Sequence, residues 1–271
     1  MFMQIIQKLK DKKFRYILYS IVMFSLFLWE EVLLGMGNGA RANWLILFLV
    51  AVLGAYITQY PAIGGYKGLA VSMLPLSLAL GAYFTFYYFP NFTLAFKIMG
   101  LLGMAVLLYL ISLVNNIFLV VEDREEVIPL YRVASTWAII LLVIVSIPIF
   151  VGIYKSDTTP VFQSLVGGLL SFVYILYFFW TLSFDTKVRK IKFLDILVNA
   201  LLVFFLVFST HLAVSFFPTE AFLRALFSAS VLLFGLNYID GYMKNRIYLG
   251  LLYTYGIIFV IFLLLILVFR P

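Results

Sequence analysis

The chain has 271 residues, of which 65% are hydrophobic and only 11% are charged, with a formal net charge of +7. Soluble domains carry about 25% charged residues, so this composition excludes an ordinary water-soluble fold, which would leave a large apolar surface in water. In a bilayer every backbone N–H and C=O group must be satisfied internally, which leaves helices or a closed barrel. The long apolar runs, such as 193–217, lack the period-two alternation of barrel strands. We therefore predict an all-α fold, a polytopic transmembrane helical bundle.

The chain begins with a basic arm, residues 1–13, and the remainder, 14–271, is predicted to form a single transmembrane helical domain. The apolar segment after the arm is longer than that of a signal peptide and has no evident small-x-small cleavage site, so we predict that it is retained. About twenty apolar residues cross the hydrocarbon core. Nine segments are predicted to span the membrane, at 14–34, 44–60, 68–89, 95–121, 133–154, 161–184, 193–217, 222–239 and 247–269. The last two are separated by a short connection, because 222–269 is too long for one span.

Lys and Arg residues are distributed unevenly among the predicted loops. With the amino terminus in the cytoplasm, all but five of the 19 Lys and Arg residues fall on the cytoplasmic side. The five on the outside are Arg41, Lys97, Lys155, Arg224 and Arg270. Because cytoplasmic loops carry the excess of positive charge, we predict a cytoplasmic amino terminus and, after nine crossings, an external carboxyl terminus. We expect a multi-pass protein of the cell (plasma) membrane.

Several kinds of chemistry are excluded by the residue inventory. The chain contains no cysteine and a single histidine, His211. This excludes disulfides, thiolate nucleophiles, iron–sulfur clusters and cysteine-bound zinc. No Walker A motif and no GxSxG serine site occur. We therefore predict no catalytic residue, no metal and no cofactor, and no nucleic-acid partner.

Polar groups near the predicted outer surface form the first candidate site. An ionisable side chain within a membrane is costly, so each is a candidate for function. If the first, seventh and eighth helices pack together, a Glu–His–Arg cluster could relay protons or grip an anion. In the alternative, the glutamates face water at the headgroup level and the histidine bonds to a neighbouring helix. The members of this outer cluster are Glu30, Glu31, His211, Glu220 and Arg224.

A second candidate site lies toward the predicted cytoplasmic side. Such a group of amides, a carboxylate and a guanidinium would suit an ion or a polar headgroup. In the alternative, these side chains form interhelical hydrogen bonds that fix the packing. The members of this inner cluster are Asn115, Asn116, Arg132, Asn199, Asn237 and Asp240.

Two predicted cytoplasmic loops have a distinctive charge. An acidic loop is a candidate docking site for a basic partner, or else a solvated turn, and contains Glu122, Asp123, Glu125 and Glu126. A basic loop is expected to contact anionic lipid, or else only to set topology, and contains Lys187, Arg189, Lys190 and Lys192.

Three functions remain open from the sequence. The first is a binding or scaffold subunit of a membrane assembly, favoured by the short loops and the lack of motifs. The second is a permease or lipid-handling transporter that holds its substrate on the sparse intramembrane polar residues. The third is a membrane-embedded enzyme acting on a lipid-linked substrate. The partners expected are membrane lipids, together with either another membrane protein or a lipid-like small molecule.

Overall fold

The computed structural model describes residues 11–30, 44–63, 66–124, 128–246 and 249–268. Within these ranges the regular structure is entirely helical, which confirms the predicted fold class. The described helices are α1 (Lys12–Leu28), α2 (Trp44–Gln59), α3 (Tyr66–Tyr88), α4 (Leu94–Arg124), α5 (Leu130–Lys155), α6 (Pro160–Leu182), α7 (Phe193–Ser215), α8 (Ala221–Met243) and α9 (Leu249–Val268).

Six of the described helices are long and apolar enough to cross a membrane. They are α3 to α8, each with at least 22 residues in the spanning segment. The helices α1 and α2 are shorter, with 17 and 16 residues. A multi-pass membrane protein is therefore supported, while the count of nine spans and the orientation stay predictions.

Local signals account for where several helices begin. The Asp11 side chain accepts a hydrogen bond from the Lys13 amide at 3.0 Å and caps α1. Thr159 accepts from the Phe162 amide and precedes Pro160 at the first position of α6. A capping hydroxyl and a proline at this position satisfy or remove amides that the first turn leaves unpaired.

One helix end differs from the sequence prediction. The predicted acidic loop after residue 121 is helical as far as Arg124, so Glu122 and Asp123 lie in the last turn of α4. Carboxylates are unfavourable at the carboxyl end of a helix dipole, but Glu122 pairs with Lys67 at 3.0 Å. This ion pair favours continuing the helix past the apolar run.

The chain divides into two compact units, residues 1–134 and 135–271. In the first unit α1 packs on α2 and α4, and α3 packs on α2 and α4. In the second unit α7 packs between α6 and α8, and α9 packs on α8. Of the predicted site residues, Glu31, Glu125 and Glu126 lie outside the described residues, as do Arg41 and Arg270 of the predicted external positives.

Candidate functional site

Buried amide groups connect four helices of the first unit. The Tyr16 hydroxyl of α1 donates to Gln59 Oε1 at 3.2 Å, and Gln59 Nε2 donates to the Ser112 carbonyl of α4 at 2.8 Å. Asn115 Nδ2 of α4 donates to the Val71 carbonyl of α3 at 3.0 Å. An unsatisfied polar group in a dry interior costs more than a hydrogen bond returns, so these bonds hold the helices in one register. For Asn115 the structure therefore shows the interhelical bond that the alternative interpretation described.

Charged side chains tie the ends of the same helices together. Lys12 Nζ donates to Asn116 Oδ1 at 3.0 Å, which joins the start of α1 to α4. Lys67 pairs with Glu122 at 3.0 Å, and both side chains are about three-quarters or more buried, with 25% and 20% of their area exposed. Of the predicted acidic docking loop, Asp123 is exposed while Glu122 is engaged in this pair. Docking through this loop remains a prediction.

Arg15 occupies a distinctive position in the first turn of α1. Its Nη1 atom donates to the Ile57 carbonyl at 3.0 Å and to the Tyr60 carbonyl at 2.7 Å, at the carboxyl end of α2. Its Nε atom is buried and has no hydrogen-bond partner within the described residues. In the sequence Arg15 contributes only to the charge pattern that predicts topology. Its contact with the α2 carbonyls carries no local signal, because they lie more than 40 positions away.

An apolar cavity of about 330 Å³ lies between α1 and α2. Leu18 and Val22 of α1 line it with Leu53 and Ile57 of α2, and Arg15 is the first α1 residue of the lining. A second apolar cavity of about 230 Å³ lies between α8 and α9 and is lined by aromatic side chains, including Phe234, Tyr255 and Phe259. Neither lining includes the predicted outer or inner cluster residues.

His211 is fully buried in the second unit and is enclosed by aromatic rings. Its imidazole stacks on Tyr154 with ring centroids 4.8 Å apart and meets Phe150 edge-on at 4.7 Å. The Nδ1 atom lies 3.1 Å from the Val207 carbonyl, one turn back on α7. The Nε2 atom faces Gly167 of α6, where a Cβ would lie 2.7 Å away, and has no hydrogen-bond partner within the described residues.

The other predicted members of the outer cluster lie at the start of α8. Glu220 is exposed and precedes the helix, and Arg224 Nε lies 3.4 Å from the Thr219 hydroxyl. In the described part of the second unit, no hydrogen bond or ion pair joins His211 to either residue. Glu30 belongs to the first unit, so the full outer cluster remains a prediction.

The inner cluster is likewise divided between the two units. Asn199 and Asn237 each donate to a carbonyl of their own helix, at 2.7 and 2.9 Å. Asp240 accepts from Lys244 at 2.6 Å, and Lys244 also pairs with Asp185 at 3.2 Å. Arg132 is exposed and belongs to the first unit with Asn115 and Asn116, so assembly of the whole cluster remains a prediction.

The basic loop between α6 and α7 is only partly available to lipid. Arg189 pairs with Asp195 at 3.0 Å and lies over the Tyr242 ring, 4.5 Å from its centroid. Lys187, Lys190 and Lys192 are exposed. Contact of these three lysines with anionic lipid is consistent with their exposure and remains a prediction.

Comparisons with known protein families, with curated proteins and with solved structures find no match for this chain. Within the described residues, no group of three or more His, Asp or Glu side chains is placed to hold a metal ion.

Proposed function

We propose that this chain is a non-catalytic binding subunit of an assembly in the cell membrane. The observation that supports this is the use of the buried amides: Gln59 and Asn115 both donate to carbonyls of neighbouring helices. Amide N–H groups that donate hydrogen bonds to neighbouring helices are not available to bind a substrate. Binding through the outer surfaces of the helices is then the activity that the described residues favour.

The first half of α4 offers a surface suited to a partner helix. Phe96 and Met99 are 65% and 67% exposed, and a Cβ added at Gly100 or Gly103 would meet nothing within 4 Å. Each glycine in a helix interior costs about 1 kcal/mol relative to alanine, so two open glycines weaken α4 without serving a contact within the described residues. Small residues let two membrane helices approach closely and pack by van der Waals contact. The partner that fits is therefore a transmembrane helix of another membrane protein.

Site-specific photocrosslinking tests this proposal in native membranes. A photoreactive residue at Met99 is expected to give one discrete protein adduct that contains a helix of the partner. The double variant Gly100→Leu, Gly103→Leu is expected to abolish that adduct by blocking close approach. The control is Gly256→Leu on α9, which borders the cavity between α8 and α9 and where an added Cβ meets no atom of the described residues within 4 Å. Lipid adducts alone at Met99 would contradict the proposal.

Catalysis and transport have less support from the same contacts. An enzyme acting through His211 would need access to the imidazole, which Phe150, Tyr154 and Gly167 enclose. A permease holding a solute on Asn199 or Asn237 would need those amides to leave the bonds within their own helices. Lipid handling is the second candidate function, and the observation that favours it is the apolar cavity beside Arg15.

A further inference from the structure

The cavity between α1 and α2 has the dimensions of a site for a hydrocarbon chain. Its volume of about 330 Å³ falls at the lower end of the range of roughly 300–1,000 Å³ for ligand pockets. Along α1 the lining runs from Arg15 to Val22, a rise of about 10 Å at about 1.5 Å per residue. Its walls between these ends are mainly aliphatic side chains, such as Leu18, Leu53 and Ile57. A run of methylene groups fits this space, because it is apolar like the lining and can extend along α1 from Arg15 to Val22.

The Arg15 end of the cavity is suited to an anion. The guanidinium is held in place by the two carbonyls at the end of α2. These carbonyls form the negative end of the helix dipole and offset only part of the positive charge of Arg15. No carboxylate pairs with it among the described residues, and its Nε atom is buried without a partner. Guanidinium N–H groups match phosphate oxygens in a fork geometry. A phosphate at this end would accept from the guanidinium N–H groups that these two carbonyls do not use, and would offset the charge.

The surrounding charges favour a lipid with a net negative headgroup. Lys12 and Lys13 lie in the same turn as Arg15, and the neighbouring carboxylate is Asp11, which caps the helix. Three cations against one carboxylate leave the start of α1 positive. Anionic lipid is attracted to such a cluster at the membrane surface.

We propose that the cavity holds one acyl chain of an anionic glycerophospholipid whose phosphate is bound by Arg15. The apolar walls select the chain, and the guanidinium selects the phosphate. This site does not depend on the assembly proposed above, because it lies between α1 and α2 rather than on the surface of α4.

Native mass spectrometry of the full chain, with lipid titration in detergent, tests this site. The probes are phosphatidylglycerol, phosphatidylcholine and inorganic phosphate. We expect one phosphatidylglycerol to be retained, with affinity about tenfold or more above phosphatidylcholine. Both lipids carry the phosphate that Arg15 binds, but the choline cation of phosphatidylcholine is repelled by the positive start of α1. Equal retention of the two lipids would overturn the headgroup assignment. Binding of inorganic phosphate as tight as that of the lipid would overturn the assignment of the acyl chain.

Two kinds of variant separate binding from folding. Leu53→Trp fills the cavity and leaves the bonds of Arg15 untouched, and it is expected to weaken phosphatidylglycerol binding about tenfold or more. Leu49→Trp is the matched control, because Leu49 is 57% exposed on the same helix and is not part of the lining. Arg15→Lys keeps the charge and removes the fork, and should weaken phosphatidylglycerol binding. Unchanged binding in Leu53→Trp, with an unchanged melting temperature, refutes the proposal.

Discussion

Gly167→Ala is expected to destabilise the second unit because the imidazole of His211 has no room to move. The new Cβ would lie 2.7 Å from Nε2, 2.8 Å from Cδ2 and 2.9 Å from Cε1, closer than real Cβ atoms approach other atoms. The ring is stacked on Tyr154 and meets Phe150 edge-on, so relief requires movement of a packed aromatic cluster. Inserting a methyl group into such a site costs about 1–3 kcal/mol. Alanine in place of glycine within a helix returns about 1 kcal/mol.

The matched control for this substitution is Gly100→Ala on α4, where the added Cβ meets no atom of the described residues within 4 Å and which lines neither cavity. It reports the change in helix propensity alone, so the two variants should differ by about 1–3 kcal/mol in unfolding free energy. Reversible unfolding in a defined detergent, followed by tryptophan fluorescence, measures both. In a His211→Ala background the effect of alanine at Gly167 is expected to equal that at Gly100, because the clashing ring is gone. Equal effects of the two alanines in the parent chain would show that the imidazole is not confined as described.

Three further substitutions are measured by the same unfolding assay. Gln59→Leu removes two interhelical hydrogen bonds of the first unit and should cost about 1–2 kcal/mol, at about 0.6 kcal/mol per bond plus an unpaired partner. Asn237→Ala loses only a hydrogen bond within its own helix and should cost less. A larger loss of stability in Asn237→Ala than in Gln59→Leu contradicts this prediction. The Ser228 hydroxyl lies 2.8 Å from the Tyr154 hydroxyl, so Ser228→Ala should cost about 1 kcal/mol, most of it recovered when Tyr154→Phe is added. Additive effects of the two substitutions would contradict a hydrogen bond between these hydroxyls. Lys244→Met leaves the carboxylates of Asp185 and Asp240 without a shared cation and should cost about 1–2 kcal/mol, with a smaller loss in 1 M salt. An unfolding free energy equal to that of the parent chain would show that the two ion pairs contribute nothing.

The positions of the helices were largely predictable because lipid imposes one length on every crossing. The predicted segment 193–217 corresponds to Phe193–Ser215, and 161–184 to Pro160–Leu182. The main departure is α4, which continues to Arg124 through Glu122. The partner of Glu122 is Lys67, on another helix, and the sequence pattern around residue 122 carries no sign of it.

The candidate polar residues were recognisable from sequence, but their partners were not. Asn115 stands out as an amide within an apolar run, and its acceptor is the Val71 carbonyl, 44 positions earlier. His211 stands out as the only histidine, and its ring packs on Tyr154, 57 positions earlier in the chain. Gln59 and Arg15 do not stand out in the sequence as candidate site residues, because each lies at the edge of an apolar segment where a polar residue is ordinary.

The sequence by itself determined the medium, the helical class and the approximate place of each helix, because apolar length and backbone satisfaction decide these locally. Only the tertiary structure decided which face of each helix packs and which polar groups meet. The physical reason is that lipid and protein interior are both apolar. The exposed and the packed faces of a helix are therefore built from the same kind of residue. On α2, for example, exposed Leu53 and buried Ala51 are both apolar.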